Sequence, residues 1–188
     1  MIATDGRLLT LVLGGARSGK SAYAETLAAE SGKNVCYLAT AQPGDVEMAA
    51  RIAHHRDRRS EAWLTVEEPI SLGAAILRWS APQRLILVDC LTVWLSNLLF
   101  ADARDFPQVG KIEPPACFHE ERAALLEALR QAPGDVILVS NEVGSGIVAQ
   151  SAISRWFVDE AGRLNQNVAA LCNRAHLVVA GLPLVLKG

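Results

Sequence analysis

An α/β domain with a mostly parallel sheet flanked by helices is predicted by three observations. Strand-length apolar runs alternate with helix-length segments along the chain, the pattern of strand–helix–strand crossovers. The runs are continuously apolar, which suits strands covered on both faces. The first run ends in a glycine-rich turn that opens a helix, the context in which such a turn binds phosphate. At 188 residues, one nucleotide-binding domain spanning 1–188 is expected.

The elements follow in order. Leu8-Leu9-Thr10-Leu11-Val12-Leu13 is the first strand and stops at Gly14-Gly15. A helix over 20–30 is ended by Gly32, and Val35-Cys36-Tyr37-Leu38-Ala39-Thr40 is the second strand. A helix over 45–59 precedes a short strand at Leu64-Thr65-Val66 and a helix over 71–79. Leu85-Ile86-Leu87-Val88-Asp89 is the next long strand, followed by a helix over 91–103. Residues 102–116 carry Pro107, Pro114 and Pro115 with mixed charges and read as a surface excursion. A helix over 118–131, the strand Val136-Ile137-Leu138-Val139-Ser140-Asn141 and a helix over 153–174 come next. Leu177-Val178-Val179-Ala180-Gly181 and Leu184-Val185-Leu186 close the chain.

Composition narrows the function. Hydrophobic residues make up 51% of the chain and mean hydropathy is +0.21, enough for a core and inconsistent with overall disorder. Lys+Arg 18 against Asp+Glu 20 gives a net charge of −2, so no global positive field recruits nucleic acid. Aromatics at 5% disfavour a stacking surface, and Trp63, Trp79, Trp94 and Trp156 read as core or subunit contacts. The four cysteines, Cys36, Cys90, Cys117 and Cys172, form no C-x-x-C spacing and read as buried hydrophobes of a reducing compartment. No signal peptide and no transmembrane segment are evident, and a cytoplasmic protein is expected.

Gly14-Gly15-Ala16-Arg17-Ser18-Gly19-Lys20-Ser21 fits G-x-x-x-x-G-K-[ST]. Glycines let successive N–H groups point inward, and the helix N-terminus adds positive potential. Lys20 would meet the β- and γ-phosphates, while the Ser21 hydroxyl would ligate Mg²⁺. Asp89, an acid ending a buried strand, is the expected second contact of Mg²⁺, through water.

Residues 45–59 are the least ordinary segment. Asp45 and Glu47 lie in the first turn, and Arg51, Arg56, Arg58 and Arg59 lie toward the other end, a gradient that suits the helix dipole. Met48, Ile52 and His55 fall on one helical stripe, and Glu47, Arg51, His54 and Arg58 fall on the next. One reading makes His55 a core-edge histidine and the arginines a solvated face. The other turns the cluster to the nucleotide, where neutral imidazole is a competent nucleophile toward phosphorus and the arginines offset developing charge. The residues alone support both.

Taken with Asn141-Glu142-Val143-Gly144-Ser145-Gly146-Ile147-Val148 and Ala161-Gly162-Arg163-Leu164-Asn165-Gln166, these motifs resemble the bifunctional adenosylcobinamide kinase / adenosylcobinamide-phosphate guanylyltransferase family of cobalamin biosynthesis over nearly the whole chain. The resemblance implies a RecA-like P-loop fold and a homotrimer. It implies phosphorylation of adenosylcobinamide by ATP or GTP, then transfer of GMP from GTP to that phosphate through a GMP–histidine intermediate. The nucleophile maps to His55. GTP contacts map to the phosphate loop, Ala39-Thr40-Ala41, Arg56-Asp57-Arg58-Arg59, Glu67 and Asp89. The sequence departs from the family pattern at Asp89, where some relatives carry Glu, at Ala149-Gln150, and over 102–116.

The two reactions have a common logic. A loop that grips the β- and γ-phosphates places the γ-phosphorus for phosphoryl transfer and leaves the α-phosphorus projecting outward, where a histidine can attack. Two rival readings remain at this level. A simple small-molecule kinase would need the loop and Asp89 but not His55. A nucleotide-switch ATPase module would act on a protein partner and form no small phosphorylated product.

Overall fold

The computed structural model describes residues 6–42, 44, 60–102, 104–147 and 149–188. The helix expected over 45–59, with His54, His55, Arg56, Asp57, Arg58 and Arg59, lies outside the described residues. The strands are β1 (Leu9–Gly14), β2 (Asn34–Ala39), β3 (Leu64–Glu67), β4 (Arg84–Asp89), β5 (Asp135–Asn141), β6 (Arg174–Val179) and β7 (Leu182–Lys187). The helices are α1 (Lys20–Glu30), α2 (Leu72–Trp79), α3 (Leu91–Leu99), α4 (Ala116–Gln131) and α5 (Ala152–Leu171).

One seven-stranded sheet runs in the order β3-β2-β4-β5-β1-β6-β7. All pairings are parallel except the last, where β7 runs antiparallel to β6. The central strands are buried on both faces: Leu85, Ile86, Leu87 and Val88 of β4 are each at most 3% exposed. Successive residues therefore feed two cores. On one face Leu11, Ile86, Val88 and Leu138 pack with residues of α2, α3, α4 and α5. On the other, Val12, Leu85, Leu87, Ile137 and Val139 pack with Ala24 and Ala28 of α1. Trp94 is fully buried on the first face, and its indole Nε1 donates to the Ile70 carbonyl at 2.7 Å, so its polar atom costs nothing on burial. Three cysteines are buried and Cys117 is half-buried, all with free thiols.

Several element boundaries differ from the sequence expectation. The helix expected to run to 174 stops at Leu171, because Asn173 docks on β1: its N–H donates to the Leu9 carbonyl, and its side-chain Oδ1 accepts from the Leu9 N–H, each at 2.8 Å. That docking starts β6 at Arg174, earlier than the Leu177 expected. The expected strand residues Ala180 and Gly181 instead form a two-residue hairpin turn with φ of 52° and 80°, the left-handed pair that fits the twist of flanking strands. The helix after Asp89 ends at Leu99, four residues short of expectation.

The described residues of the expected excursion, 102 and 104–115, have no regular structure, and α4 begins at Ala116. Buried Ile112 anchors the excursion, and the Gln108 carbonyl accepts from the Ala152 N–H at the start of α5, at 3.2 Å.

Candidate active site

Parallel strands send all their carboxyl ends to one side, which is where open α/β sheets bind ligands. Gly14 ends β1 and Asn141 ends β5 in direct register. Across the sheet, Ala39 of β2 is in register with both Glu67 of β3 and Asp89 of β4. The sequence-predicted residues Gly14, Ala39, Glu67 and Asp89 thus terminate four strands at one rim, joined by Thr40 and Ala41 immediately after β2.

The loop from Gly14 to Ser21 wraps from β1 into α1. Arg17 and Gly19 adopt positive φ of 57° and 94°, which curls the backbone between β1 and α1. The Ser18 N–H donates to the Gly15 carbonyl at 3.3 Å. Lys20, nearly buried, lies across the loop and donates from Nζ to the same carbonyl at 3.2 Å. Its ammonium is therefore held at the mouth of the backbone curl, where phosphate oxygens would bind.

The loop is buttressed by an element the sequence reading did not assign to the site. The Gly181 N–H in the β6–β7 turn donates to the Ser18 carbonyl at 2.8 Å. A Cβ at Gly19 would come within 3.1 Å of Gly181 Cα. The available signal was Gly181 between two apolar runs, a hairpin spacing that the continuous apolar run before it masked.

Gly14 shows how tightly the loop is built. A Cβ there would stand 2.4 Å from Ser18 Oγ and 2.6 Å from the Val178 carbonyl. Overpacking of this kind costs roughly 1–3 kcal/mol, and each ~1.4 kcal/mol lost from binding is tenfold in affinity. Gly14→Ala is expected to weaken GTP binding about tenfold or more and to lower the melting temperature. Calorimetric titration checks this, and wild-type affinity in the variant would contradict the packing account.

Asp89 stands at the end of β4 on the α1 face of the sheet. Its Oδ2 accepts from the Tyr37 hydroxyl at 2.8 Å, which fixes the carboxylate against β2. Behind it, Thr40 Oγ1 accepts from the Cys90 N–H at 2.8 Å and donates to the Cys90 carbonyl at 2.9 Å. Asn97 of α3 donates to the Thr40 carbonyl at 2.8 Å and to that of Pro69 at 3.1 Å. Thr40 is thereby a strut tying the ends of β2 and β4 together.

Burial pushes the Cys90 thiol pKa up, and the negative charge of Asp89 reinforces this; hydrogen bonds from Thr92 and Val93 and the charge of Lys20 act the other way. The thiol is therefore protonated at neutral pH and no nucleophile. That Asp89 and Lys20 both act on it reflects their convergence at this rim.

Asn141 completes the rim between the loop and Asp89. Its Nδ2 donates to Thr92 Oγ1 at 2.8 Å. Asn165 of α5 braces the strand end: its Oδ1 accepts from Ser140 Oγ at 2.7 Å, and its Nδ2 donates to the Asn141 carbonyl at 3.2 Å. Arg163 pairs with the buried carboxylate of Glu160, which also holds Arg122 of α4. Glu142 accepts from the Gly144 N–H at 2.7 Å, forming a tight turn after β5.

For the expected Mg²⁺, the donor chemistry fits. The Ser21 hydroxyl and one carboxylate are the hard oxygen set of an ion that keeps most of its waters. Among the described residues no cluster of three or more His, Cys, Asp or Glu side chains could form a closed metal cage. No helix of the described residues is long and apolar enough to cross a membrane.

Comparison with known proteins agrees with this architecture. The chain is similar in fold to a prototypical ATPase from the type III secretion system of pathogenic bacteria, with a TM-score of 0.57 at 12% identity over 95% of this chain and 56% of that one. EscN, the corresponding ATPase of enteropathogenic E. coli, gives a TM-score of 0.51 at 10% identity, covering 93% of this chain and 43% of that one. The chain thus spans about half the length of these ATPases, and they show a P-loop NTPase, RecA-like fold.

Closer relatives share the sequence itself. The bifunctional adenosylcobalamin biosynthesis protein CobP of Pseudomonas aeruginosa is 53% identical over 178 residues, 95% of this chain and 96% of that protein. The bifunctional adenosylcobalamin biosynthesis proteins CobU of Escherichia coli and of Salmonella typhimurium are each 42% identical over 182 residues, 96% of this chain and 100% of theirs. The family model for cobinamide kinase / cobinamide phosphate guanyltransferase matches residues 10–186. A phosphate-loop site on a parallel sheet, matched over nearly its whole length in sequence, establishes that the chain belongs to the cobinamide kinase / cobinamide phosphate guanyltransferase family, the bifunctional enzymes of the cobalamin pathway.

Proposed function

We propose that a single nucleotide site on this rim serves both reactions of the family in succession. The observation that carries this reading is one phosphate loop on one sheet, with Glu67, Ala39, Asp89 and Gly14 brought to the same edge. In the first reaction, the aminopropanol hydroxyl of adenosylcobinamide attacks the γ-phosphorus of ATP or GTP, and the nucleoside diphosphate leaves. The backbone N–H groups from Gly15 to Ser21 and the Lys20 ammonium hold the β- and γ-phosphates and offset the charge that develops on them.

In the second reaction, the imidazole of His55 attacks the α-phosphorus of GTP. A P–N bond forms and pyrophosphate leaves, still gripped by Lys20 and the loop. An oxygen of adenosylcobinamide phosphate then attacks the same phosphorus, the P–N bond breaks, and adenosylcobinamide-GDP is formed. Arg56, Asp57, Arg58 and Arg59 follow the nucleophile directly in sequence, and this reading assigns them, with Thr40, Ala41 and Glu67, to GTP binding. Ser21 and Asp89 would hold Mg²⁺, which would supply positive charge to the phosphates.

Incubation with adenosylcobinamide and GTP, followed by chromatography, is expected to yield adenosylcobinamide phosphate and then adenosylcobinamide-GDP. Phosphate product without the GDP product would leave only the simple kinase. Neither product, with nucleotide-dependent binding of a protein, would replace the reading by the switch ATPase.

The same reading includes a homotrimer. In its support, edge strand β7 presents Leu182, Leu184, Val185 and Leu186, all more than half exposed, beside similarly exposed Val179 of β6. An apolar edge of this kind asks for a partner. Leu184→Lys is expected to shift the protein from trimer toward monomer in sedimentation analysis. A wild-type protein that sediments as a monomer at working concentration would overturn the proposal.

A further inference from the structure

Asn141 carries a feature that its place in the framework does not explain. Its side chain is anchored through Nδ2 to Thr92 Oγ1, its N–H donates to the same oxygen at 3.3 Å, and its carbonyl is held by Asn165. The side-chain Oδ1 is nevertheless enclosed and has no partner. A buried amide oxygen left unpaired costs stability. Anchoring the strand end needs only the Nδ2 and backbone contacts, so a framework role leaves Oδ1 unaccounted for.

The position of this oxygen is informative. Residues of β5 alternate: Ile137 and Val139 face α1, while Val136 and Leu138 face the opposite helices. Asn141 continues the α1 series, as Asp89 continues the Leu85–Leu87 series of β4. The carboxamide therefore lies on the same face as the phosphate loop, on the strand between that loop and Asp89. It is in register with Gly14, and the next N–H, that of Glu142, donates to the Gly14 carbonyl at 3.0 Å.

A phosphate offers only acceptors, so the partner of Oδ1 must bring an O–H or N–H. We propose that Asn141 is a substrate-positioning residue of the kinase step: a small turn of the carboxamide as the phosphoryl acceptor enters brings Oδ1, enclosed in the free protein, to accept a hydrogen bond from the alcohol O–H and aim that oxygen at the γ-phosphorus. The alcohol oxygen bonds to the γ-phosphorus, the bond from that phosphorus to the β–γ bridging oxygen breaks, the nucleoside diphosphate leaves, and the alcohol proton passes to solvent. The carboxamide takes no proton; its contribution is orientation. Thr92 sets the carboxamide's rotation, and Asn165 sets the strand end that carries it. This inference rests on the kinase reading above.

The test compares Asn141→Ala with wild type in three assays: phosphorylation of adenosylcobinamide, GTP affinity, and formation of the protein adduct from GTP labelled at the α-phosphate. The kinase kcat/KM for adenosylcobinamide is expected to fall at least tenfold more than adduct formation, with GTP affinity within about threefold of wild type. Thr92→Ala, which frees the amide without removing it, is expected to give a smaller loss of the same selectivity. An equal fall in all three assays with a lowered melting temperature would make Asn141 structural only. Parallel loss of kinase and adduct activity with an altered Mg²⁺ requirement would assign Oδ1 to a metal-bound water instead. Either result overturns the proposal, as does an Asn141→Ala variant with full kinase activity. A wild-type protein that does not phosphorylate adenosylcobinamide at all would overturn the kinase reading and this inference together.

Discussion

Lys20→Ala is expected to lower both phosphoryl transfer and guanylyl transfer by roughly 100-fold or more, the scale of losing one preorganised charge contact to a transferring group. In the fold, Lys20 Nζ is held at the loop mouth by the Gly15 carbonyl, with its side chain nearly buried along the start of α1. In the proposed mechanism a cation there would contact the γ-phosphate in one reaction and the departing pyrophosphate in the other. Because the sequence carries one such motif, no second phosphate loop would rescue either step. The measurement is steady-state turnover of each half-reaction, with adenosylcobinamide phosphate supplied directly for the second. Normal rates in one half-reaction and loss in the other would show that the two steps use separate phosphate grips.

The site was legible in the sequence where chemistry is local. The phosphate loop needs glycines at fixed spacing, and Gly14 and Gly19 occupy positions where a Cβ meets Ser18 or Gly181. An acid at a strand end is common, so Asp89 stood out only beside the phosphate loop; the structure places it at the same strand rim. The contacts that are distant in sequence were not legible. Nothing local in Tyr37 indicates a bond to Asp89, and nothing in Asn165 indicates that it braces Asn141. The end of α5 was misplaced because Asn173 imitates a strand partner for Leu9 with its side chain, a signal that exists only after β1 and β6 meet. The turn at Ala180-Gly181 was hidden by the same apolar run that made β6 recognisable.

His55→Ala is expected to abolish the GMP adduct and formation of adenosylcobinamide-GDP, while phosphorylation of adenosylcobinamide stays within a few-fold of wild type. Transfer of the γ-phosphoryl group requires no protein nucleophile, whereas transfer of GMP by this route cannot begin without one. His54→Ala is expected to matter less, since on the helix that the sequence predicts over 45–59 adjacent residues would point about 100° apart. Adduct formation should also weaken on acidification. Only neutral imidazole has a lone pair to attack with, so the rate falls as the ring is protonated. An adduct rate that rises as the pH falls would contradict imidazole as the nucleophile.

The central claim, that one site performs γ-transfer and a covalent α-transfer, is tested most directly by labelling the wild-type protein in parallel with α-labelled and γ-labelled GTP. Protein-bound label is expected from the first and none from the second, lost in acid and comparatively stable in base, as a P–N bond requires. Trypsin would cut after Arg51 and Arg56, so the label should reside in Ile52-Ala53-His54-His55-Arg56, and fragmentation should place it on His55. Formation of adenosylcobinamide-GDP with no α-label retained by the protein at any time would contradict the covalent mechanism.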